Sequence, residues 1–344
     1  MALTPSTMSA TITTPLTETL GCRYPIVSAG MGGPARSELA AAVSEAGGFG
    51  LLGMVRESPE FIAREIAEVR RRTAKPFGVN LIPFATDPTL LADELAVCFN
   101  ARVPAMCFFW DVYPAIVEQA KNAGCLVLYQ VGSLEDAILA QSAGADVVIV
   151  QGVESGGHVR GRLPLSVLLP RVVDTLTIPI AASGGIADGR GLAAALALGA
   201  HGVHCGTVFL ASPESYAHDY HKQRIVAAKP GETVHTDLFA INWPPSSPVR
   251  VLKNSVTAAA GEKLWGYHPD QLPREVIGYD AGRPLYKYGT DSPLRSTTGD
   301  FEQMSLYAGE SAAHVTGIHP AATIIHAMMR DAIGAIRGVD ARIG

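Results

Sequence analysis

Short apolar runs, each followed by a segment with helical character, recur eight times within about the first 225 residues. Strands that alternate with helices in this way pair in parallel through right-handed crossovers, and eight such units close into a barrel. An open doubly wound sheet is the other architecture built from these units. The barrel is favoured because no run is missing from the series of predicted strands, which are 25–29, 49–52, 77–81, 105–110, 125–130, 145–150, 178–183 and 202–205.

Residues 226–344 have a different character, with turn-rich stretches between predicted helices at 249–264, 301–313 and 320–336. This part has too few strand-like runs for a second sheet. We therefore predict an α/β protein, with a (β/α)8 TIM barrel over residues 1–225 and a mostly helical extension over residues 226–344. The extension is expected to cover the active-site end of the barrel. A length of 344 residues is normal for a barrel with additions.

Composition and charge exclude several classes of protein. The apolar share of 48% is ample for a large core, and the net charge of −5 comes from dispersed residues, so no basic face is available for nucleic acid. No apolar run approaches the roughly 20 residues of a membrane span. Residues 1–20 lack the basic start and apolar block of a secretory signal. We expect a soluble, cytoplasmic protein that binds neither nucleic acid nor a membrane.

The cysteines and histidines give little support for a metal site. The five cysteines lie far apart, without a Cys-x-x-Cys pair, and are expected to be reduced core thiols. His218 and His221 are three residues apart, a spacing found in some zinc sites, but no third ligand lies at a telling distance. A solvated helix face is the favoured interpretation of this pair, and no metal is predicted.

The segment 151–161 is a glycine-rich loop that follows the sixth predicted strand. It contains four glycines in eleven residues, and glycine permits backbone angles and close approaches that a side chain would block. One histidine, His158, lies within the loop. It could exchange a proton with a bound ligand near neutral pH, or it could cap a neighbouring helix. The segment alone fits both roles equally.

Two further glycine-bearing turns follow the seventh and eighth predicted strands, at 183–185 and 205–207. Each precedes a helical run, so each offers free backbone N–H groups near a helix N-terminus, which suits a phosphate. In eight-stranded barrels the phosphate site often lies in these last two loops. Asn80, inside the third strand, is a polar residue that needs a partner, and either the backbone or a ligand could supply it.

Taken together, these motifs resemble the nitronate monooxygenases, formerly called 2-nitropropane dioxygenases, which are FMN-dependent barrels. The resemblance covers most of the chain. Two departures affect the substrate pocket, since Val159 is inserted before Arg160, and Trp110 and Asp111 end the fourth strand. The resemblance rests on Pro25-Ile26 to Gly30-Met31, Gln151 to Gly156-Gly157-His158, Ala182 to Ile186, Gly206-Thr207, and Tyr307-Ala308-Gly309-Glu310, in which Glu310 replaces the family's glutamine.

The resemblance implies a role for each matching position. His158 would be the catalytic residue beside the reactive flavin ring, taking the α-proton of a nitroalkane or hydrogen-bonding a nitronate. The last two turns would hold the FMN phosphate through backbone N–H groups. The residues implied to contact FMN are Met31, Asn80, Gln130, Gln151, Gly156, Gly157, Ser183, Gly184, Gly185, His204, Cys205, Gly206 and Thr207.

The implied reaction is the oxidation of alkyl nitronates or nitroalkanes by O2 to carbonyl compounds and nitrite, without NAD(P)H. Two alternatives stay open. NAD(P)H-dependent FMN quinone or enoyl reductases resemble the same barrel and carry a similar glycine–histidine loop. A flavin- or phosphate-binding protein without catalysis would keep the glycine turns but would have no need of His158. A homodimer is the expected assembly, because closed two-fold assemblies are the commonest.

Overall fold

The computed structural model describes residues 11–343, so half of the segment examined for a secretory signal lies outside the described residues. Between residues 11 and 343, no helix combines the length and the apolar character needed to cross a membrane. The strands are, in chain order, β1 (Ile26–Ser28), β2 (Gly50–Gly53), β3 (Phe77–Leu81), β4 (Ala105–Phe109), β5 (Leu126–Val131), β6 (Val147–Gln151), β7 (Gly157–His158), β8 (Ile180–Ser183), β9 (Gly202–Cys205), β10 (Thr233–Thr236), β11 (Val249–Leu252), β12 (Val276–Asp280), β13 (Arg283–Tyr286) and β14 (Thr297–Gly299). The α-helices are α1 (Pro15–Leu20), α2 (Ser37–Glu45), α3 (Pro59–Arg72), α4 (Pro88–Asn100), α5 (Pro114–Asn122), α6 (Leu134–Ser142), α7 (Leu165–Val173), α8 (Gly189–Ala197), α9 (Thr207–Leu210), α10 (Asp219–Val226), α11 (Ser255–Ala260) and α12 (Ala321–Asp340).

Eight of these strands form one parallel sheet that closes on itself. The strand order is β1-β9-β8-β6-β5-β4-β3-β2, and a parallel bridge between Val27 and Phe49 joins the two ends, β1 and β2. Parallel neighbours need a crossover connection, and helices α2 to α8 supply it between successive strands. The predicted (β/α)8 barrel is therefore confirmed, and the open doubly wound sheet is excluded.

Side chains alternate across each strand, and this alternation divides the apolar residues into two layers. Residues such as Val79 and Val148 pack against the surrounding helices, whereas Val27 and Ile149 pack inside the barrel. Leu16 and Leu20 of α1 belong to the inner cluster. Because α1 lies against the start of β9, it plugs the amino-terminal end of the barrel.

The extension forms one three-stranded antiparallel sheet by itself and a second one together with Gly157–His158 of the glycine loop, so the prediction that it has too few strands for a sheet is wrong. β10, β11 and β7 form one sheet, and β13, β12 and β14 form the other. The predicted helix 249–264 is instead strand β11 followed by the short helix α11. Val249 and Val251 are β-branched, and β11 pairs on one edge with β10 and on the other with Gly157–His158. These long-range pairings outweigh the local helical pattern.

The last helix, α12, completes the outer ring of the barrel. The eighth barrel strand, β9, is followed directly by the four-residue helix α9, and α12 packs between α8 and α2. The predicted helix 320–336 is confirmed, but it lies on the side of the barrel rather than over its active-site end. The predicted helix 301–313 consists of two short 3₁₀ turns, Phe301–Gln303 and Glu310–His314. The domain boundary at residue 225 stays a prediction.

The position of His221 differs from the solvated helix face that the sequence favoured. This residue lies on α10 and is fully buried. Its Nε2 lies 3.0 Å from the carbonyl oxygen of Tyr307, and its Nδ1 lies 3.2 Å from Oγ of Ser292. The helix face is covered by the extension, which supplies both partners.

The contact between α8 and α12 generates a prediction about stability. A Cβ atom on Gly189 would overlap the backbone of Met328 and Ala332, so Gly189→Ala should force the two helices apart. We expect the free energy of unfolding, measured by urea denaturation, to fall by about 1–3 kcal/mol, the usual cost of overpacking.

The matched control is Gly334→Ala, at an exposed position of α12 where a Cβ atom would have no neighbour within 4 Å. This substitution should raise the free energy of unfolding by roughly 0.5–1 kcal/mol, because alanine favours a helix more than glycine does. Equal effects of the two substitutions would contradict the close packing of α8 on α12.

Candidate active site

Polar side chains occupy the last inward-facing positions of several barrel strands. Asn80, Gln130, Gln151, Ser183 and His204 all lie at the carboxyl ends of their strands and are buried. Ser183 lies in register between Gln151 and His204, with its Oγ 3.0 Å from Nδ1 of His204. Because parallel strands end at the same side of a barrel, these polar groups converge on one region.

The converging residues line a cavity of about 920 Å³ at the carboxyl end of the barrel. This volume lies within the usual range for ligand pockets, roughly 300–1,000 Å³. Every residue that the sequence predicted for catalysis or cofactor binding lines it, and their individual roles stay predictions. These residues are Met31, Asn80, Gln130, Gln151, Gly156, Gly157, His158, Ser183, Gly184, Gly185, His204, Cys205, Gly206 and Thr207.

The loops after β8 and β9 present unused backbone N–H groups to the cavity. Within residues 11–343, the N–H groups of Gly184, Gly185 and Gly206 donate no hydrogen bond to another protein group. Gly184 has a φ of +118°, and a Cβ atom there would also meet the hydroxyl of Ser155 at 2.6 Å. Since α9 is a single turn, the free N–H groups rather than a helix dipole would attract a phosphate.

Cys205 was predicted to contact the cofactor, but the structure limits this contact to its main chain. Its side chain packs in the outer layer, away from the barrel interior, so only its main chain can meet a ligand in the cavity. Burial raises the pKa of its thiol to about 12. The thiol is therefore protonated at neutral pH and is a core group rather than a reactive one.

Gln151 organises the loop that carries His158. Its Nε2 donates to the carbonyl oxygen of His158 at 3.0 Å, and its Oε1 accepts from the N–H of Arg160 at 2.9 Å. Val159, the inserted residue, is buried and donates from its N–H to the carbonyl of Pro248 at 2.9 Å. The extra residue thus extends the pairing of the loop with β11, and His158 is held between barrel and extension.

Asn80 finds one of its partners in the backbone. Its Nδ2 donates to the carbonyl oxygen of Gly30 at 3.0 Å, and a Cβ atom on Gly30 would overlap the Asn80 side chain. The backbone alternative is therefore confirmed for this amide group. The side chain also lines the cavity, so contact with a ligand stays a prediction.

The segment 307–310 packs directly against the glycine loop. A Cβ atom on Gly156 would overlap the backbone of Gly309, whose N–H donates to Oγ1 of Thr207 at 3.0 Å. Glu310 forms an ion pair with Arg250 of β11, with 2.7 Å between Oε1 and Nη1. The carboxylate that replaces the family's glutamine thus ties this segment to the extension sheet.

His158 lies among aromatic rings. Trp243 stacks on its imidazole with ring centroids 3.8 Å apart and planes at 21°, and Trp110 and Tyr307 lie at 6.2 and 5.8 Å. The residue is half-buried, and within residues 11–343 its covered Nε2 has no hydrogen-bond partner. Burial, aided by the positive charge of Arg56, lowers the pKa of His158 to about 3.

This lowered pKa changes the expected chemistry of His158. The sequence suggested a histidine that carries a proton near neutral pH, whereas the structure favours a neutral imidazole throughout the neutral range. A neutral imidazole with so low a pKa is a weak base, but one of its nitrogens still carries a hydrogen that can be donated. Hydrogen bonding to a ligand therefore fits the geometry better than abstraction of a proton.

Trp110 and Asp111 support the wall behind His158 and do not line the cavity. Trp110 is buried and stacks on Phe84, with ring centroids 5.4 Å apart. Asp111 pairs with Arg160 at 3.1 Å, and its carbonyl accepts from the Tyr129 hydroxyl at 2.8 Å. The two residues affect the pocket indirectly, by fixing the loop that follows His158.

Sequence reasoning missed the charged outer wall of the cavity. Arg56 follows β2, Arg283 begins β13, and Asp291 comes from a loop of the extension. Arg56 follows a barrel strand at its carboxyl end, and this placement was an available signal. The other two are brought in by long-range packing, which leaves no local pattern in the sequence.

The nitronate monooxygenase family model matches residues 13–95 and 87–331. The chain belongs to the nitronate monooxygenase family. Members of this family are flavin-dependent oxidoreductases.

Individual proteins agree with the family assignment. The protein named "Probable nitronate monooxygenase" from Bacillus subtilis is 30% identical over 332 residues, which is 85% of this chain and 91% of that protein. The structure of FabK from Thermotoga maritima is similar with a TM-score of 0.82 and 33% identity, covering 97% of this chain and 100% of that one. A nitroalkane oxidase from Streptomyces ansochromogenes has a TM-score of 0.76 and 28% identity, covering 94% and 99%.

Within residues 11–343, no three His, Cys, Asp or Glu side chains lie together in a way that could hold a metal ion. His221 hydrogen-bonds with the extension instead.

The buried histidines generate a prediction about acid stability. Burial lowers the pKa of both His204 and His221 to about 4, from an ordinary value of 6.5. Below pH 6.5 each histidine binds a proton in the unfolded chain but stays neutral in the folded chain. Stability that is present above pH 6.5 is therefore lost as the pH falls towards 4. Each histidine should contribute a slope of about 1.4 kcal/mol per pH unit in this range.

The measurement is the free energy of unfolding between pH 6.5 and 4, in wild type and in His221→Gln. Glutamine does not titrate, so the variant should show a shallower slope, whatever its stability at neutral pH. An unchanged slope would show that His221 is protonated in the folded protein.

Proposed function

We propose that this protein is an FMN-dependent nitronate monooxygenase that oxidises alkyl nitronates with O2 to carbonyl compounds and nitrite. One observation carries the proposal. His158 is a neutral hydrogen-bonding group and lies against the same indole as the cation Arg56, inside the cavity. Such a pair suits a substrate that is already an anion. It suits a neutral nitroalkane less well, because that substrate must first lose a proton to a base.

The choice of FMN as the flavin rests on the fit of the cavity residues. The free N–H groups of Gly184, Gly185 and Gly206 would hold its phosphate. The buried amides of Asn80 and Gln130, at the ends of β3 and β5, would face the ring system. When bound, the flavin supplies the redox chemistry, accepting electrons from the substrate and passing them to O2.

The chain's own residues would bind and orient the substrate. His158 would donate a hydrogen bond to a nitronate oxygen, and Gln151 would keep the imidazole in place through the loop backbone. Trp243 and Tyr307 would limit the access of water. Because Nε2 of His158 is buried without a hydrogen-bond partner in the described part of the chain, its surroundings must shift before that nitrogen can meet a ligand.

A second candidate is an NAD(P)H-dependent FMN quinone or enoyl reductase. The likeness to FabK over the whole chain favours it. An anaerobic absorbance spectrum separates the two candidates. Rapid bleaching of the flavin by NADH or NADPH would support the reductase. A flavin that ignores both nicotinamides, and a protein that releases nitrite from propyl-2-nitronate in air, would support the monooxygenase. No turnover with either kind of substrate would leave a flavin-binding protein.

Replacement of His158 tests the catalytic assignment. In His158→Leu, the hydrogen bond to the substrate is lost while the flavin contacts of the glycine turns are kept. We expect kcat with propyl-2-nitronate to fall by about 10- to 100-fold, the factor expected for one hydrogen bond to a charged group, with an unchanged flavin content in the absorbance spectrum.

His158→Asn provides the matched control, because asparagine retains an N–H donor. It should lose less activity than the leucine variant. The pH–rate profiles of the wild type and the asparagine variant should also have the same shape near pH 6.5, because His158 does not titrate there. Normal turnover in His158→Leu would remove the residue from the mechanism.

A further inference from the structure

Arg56 occupies an unusual position at the mouth of the cavity. It follows strand β2 and has a φ of +58°, a left-handed conformation that is uncommon for a residue with a side chain. Its Nη1 donates to the carbonyl oxygen of Asn242 at 2.5 Å, and Asn242 is itself left-handed, with a φ of +71°. Two such residues in contact indicate a local arrangement that the surrounding structure enforces.

This arrangement places the guanidinium beside the candidate catalytic group. Cζ of Arg56 lies 4.6 Å from the ring of Trp243, and the same ring stacks on His158 at 3.8 Å. Arg56 and His158 therefore both line the cavity and both contact the same indole. One N–H of Arg56 binds Asn242, and the other donors of the planar guanidinium stay available.

Of the acidic side chains that line the cavity, Asp291 and Asp280 have other partners, whereas Glu57 directly follows Arg56 in the chain. Asp291 pairs with Arg283 at 2.7 Å and accepts from Nδ2 of Asn242 at 3.3 Å. Asp280 accepts from the hydroxyls of Ser296 and Thr297. In the part of the chain that the structure describes, no carboxylate oxygen lies within the 4.0 Å ion-pair distance of Arg56.

The other two arginines that line the cavity, Arg283 and Arg36, contact other side chains. Arg283 has its ion pair with Asp291, and Arg36 lies over the ring of Tyr216, with Cζ 3.5 Å from the ring centroid. Arg56 is thus the cavity arginine that combines an exposed side chain with a place beside His158. A guanidinium binds a group with two parallel oxygens, such as a carboxylate or a nitronate, through paired hydrogen bonds.

We propose that Arg56 is the specificity-determining residue of this site: it binds the two-oxygen anionic group of the substrate above Trp243 and so selects anions over neutral compounds of the same shape. The inference rests on the proposed function only for the identity of the anion. Nitronates and carboxylates share the required chemistry, whereas nitroalkanes and amides lack the charge.

Equilibrium binding tests the proposal without turnover. The probes are 2-methylpropanoate, a carboxylate close in shape to propyl-2-nitronate, and the neutral 2-methylpropanamide, each titrated calorimetrically into the flavin-loaded protein. We expect the carboxylate to bind more tightly than the amide. In Arg56→Gln, the Kd of the carboxylate should rise by about 10- to 100-fold, the factor for a charge-assisted hydrogen bond, and the Kd of the amide should stay the same.

Arg274 supplies the matched control. It is exposed and lines an open groove beside Trp243 and Pro244, which Arg56 also borders, but unlike Arg56 it does not line the cavity. Arg274→Gln removes the same charge, so it should leave the Kd of both probes within about twofold if Arg56 acts by contact. An equal loss in Arg274→Gln would overturn the proposal in favour of a general field effect.

Turnover gives a second readout that a purely structural role would not reproduce. In Arg56→Gln, kcat/KM for propyl-2-nitronate should fall mainly through KM, and its ratio to the value for neutral 2-nitropropane should fall by the same factor as carboxylate affinity. Arg56→Lys, which keeps the charge, should recover part of the loss. If Arg56→Gln fails to fold, the lysine variant still tests geometry, because it should bind the carboxylate less tightly than wild type.

The two proposals fail in different ways. Carboxylate binding that depends on Arg56, together with no oxidation of nitronates, would refute the monooxygenase and leave the anion site in place. Oxidation of nitronates with unchanged kcat/KM and unchanged carboxylate affinity in Arg56→Gln would refute the anion site and leave the monooxygenase in place.

Discussion

The alternation of side chains along eight closed parallel strands is the constraint on which the site depends. Every second residue must point into the barrel, so each strand contributes its inward positions in a fixed order from one end to the other. At the amino-terminal end these positions are apolar and receive Leu16 and Leu20. At the carboxyl end they are Asn80, Gln130 and their neighbours. The same geometry therefore places apolar side chains at the amino-terminal end of the barrel and polar side chains at its carboxyl end.

The extension completes the site from outside the barrel. Strand β11 pairs with Gly157–His158, and the segment 307–310 lies against Gly156. The indole of Trp243 then covers the imidazole that this pairing holds in place. Burial by these contacts lowers the pKa of His158, because the charged form of a histidine is poorly stabilised away from water, and the positive charge of Arg56 lowers it further. The surroundings that hold His158 in place thus also set its protonation state.

The barrel and its glycine loops could be predicted from the sequence because their signals are local. Strand runs, glycine turns and polar strand ends such as Gln151 are each visible within a few residues. The extension could not be predicted in the same way. The run Val249–Leu252 fits a helix or a strand, and only its distant partners decide between them. The burial of His221 and the position of Trp243 likewise arise from contacts with segments far along the chain.

The place of α12 in the ring bears on how the protein is made. Ribosomes produce the chain from its amino terminus, and domains commonly fold as they emerge. A nascent chain that ends near residue 225 already carries all eight strands, yet α2 and α8 still lack the helix that packs between them. Until residues 321–340 leave the ribosome, the apolar surfaces of both helices stay uncovered.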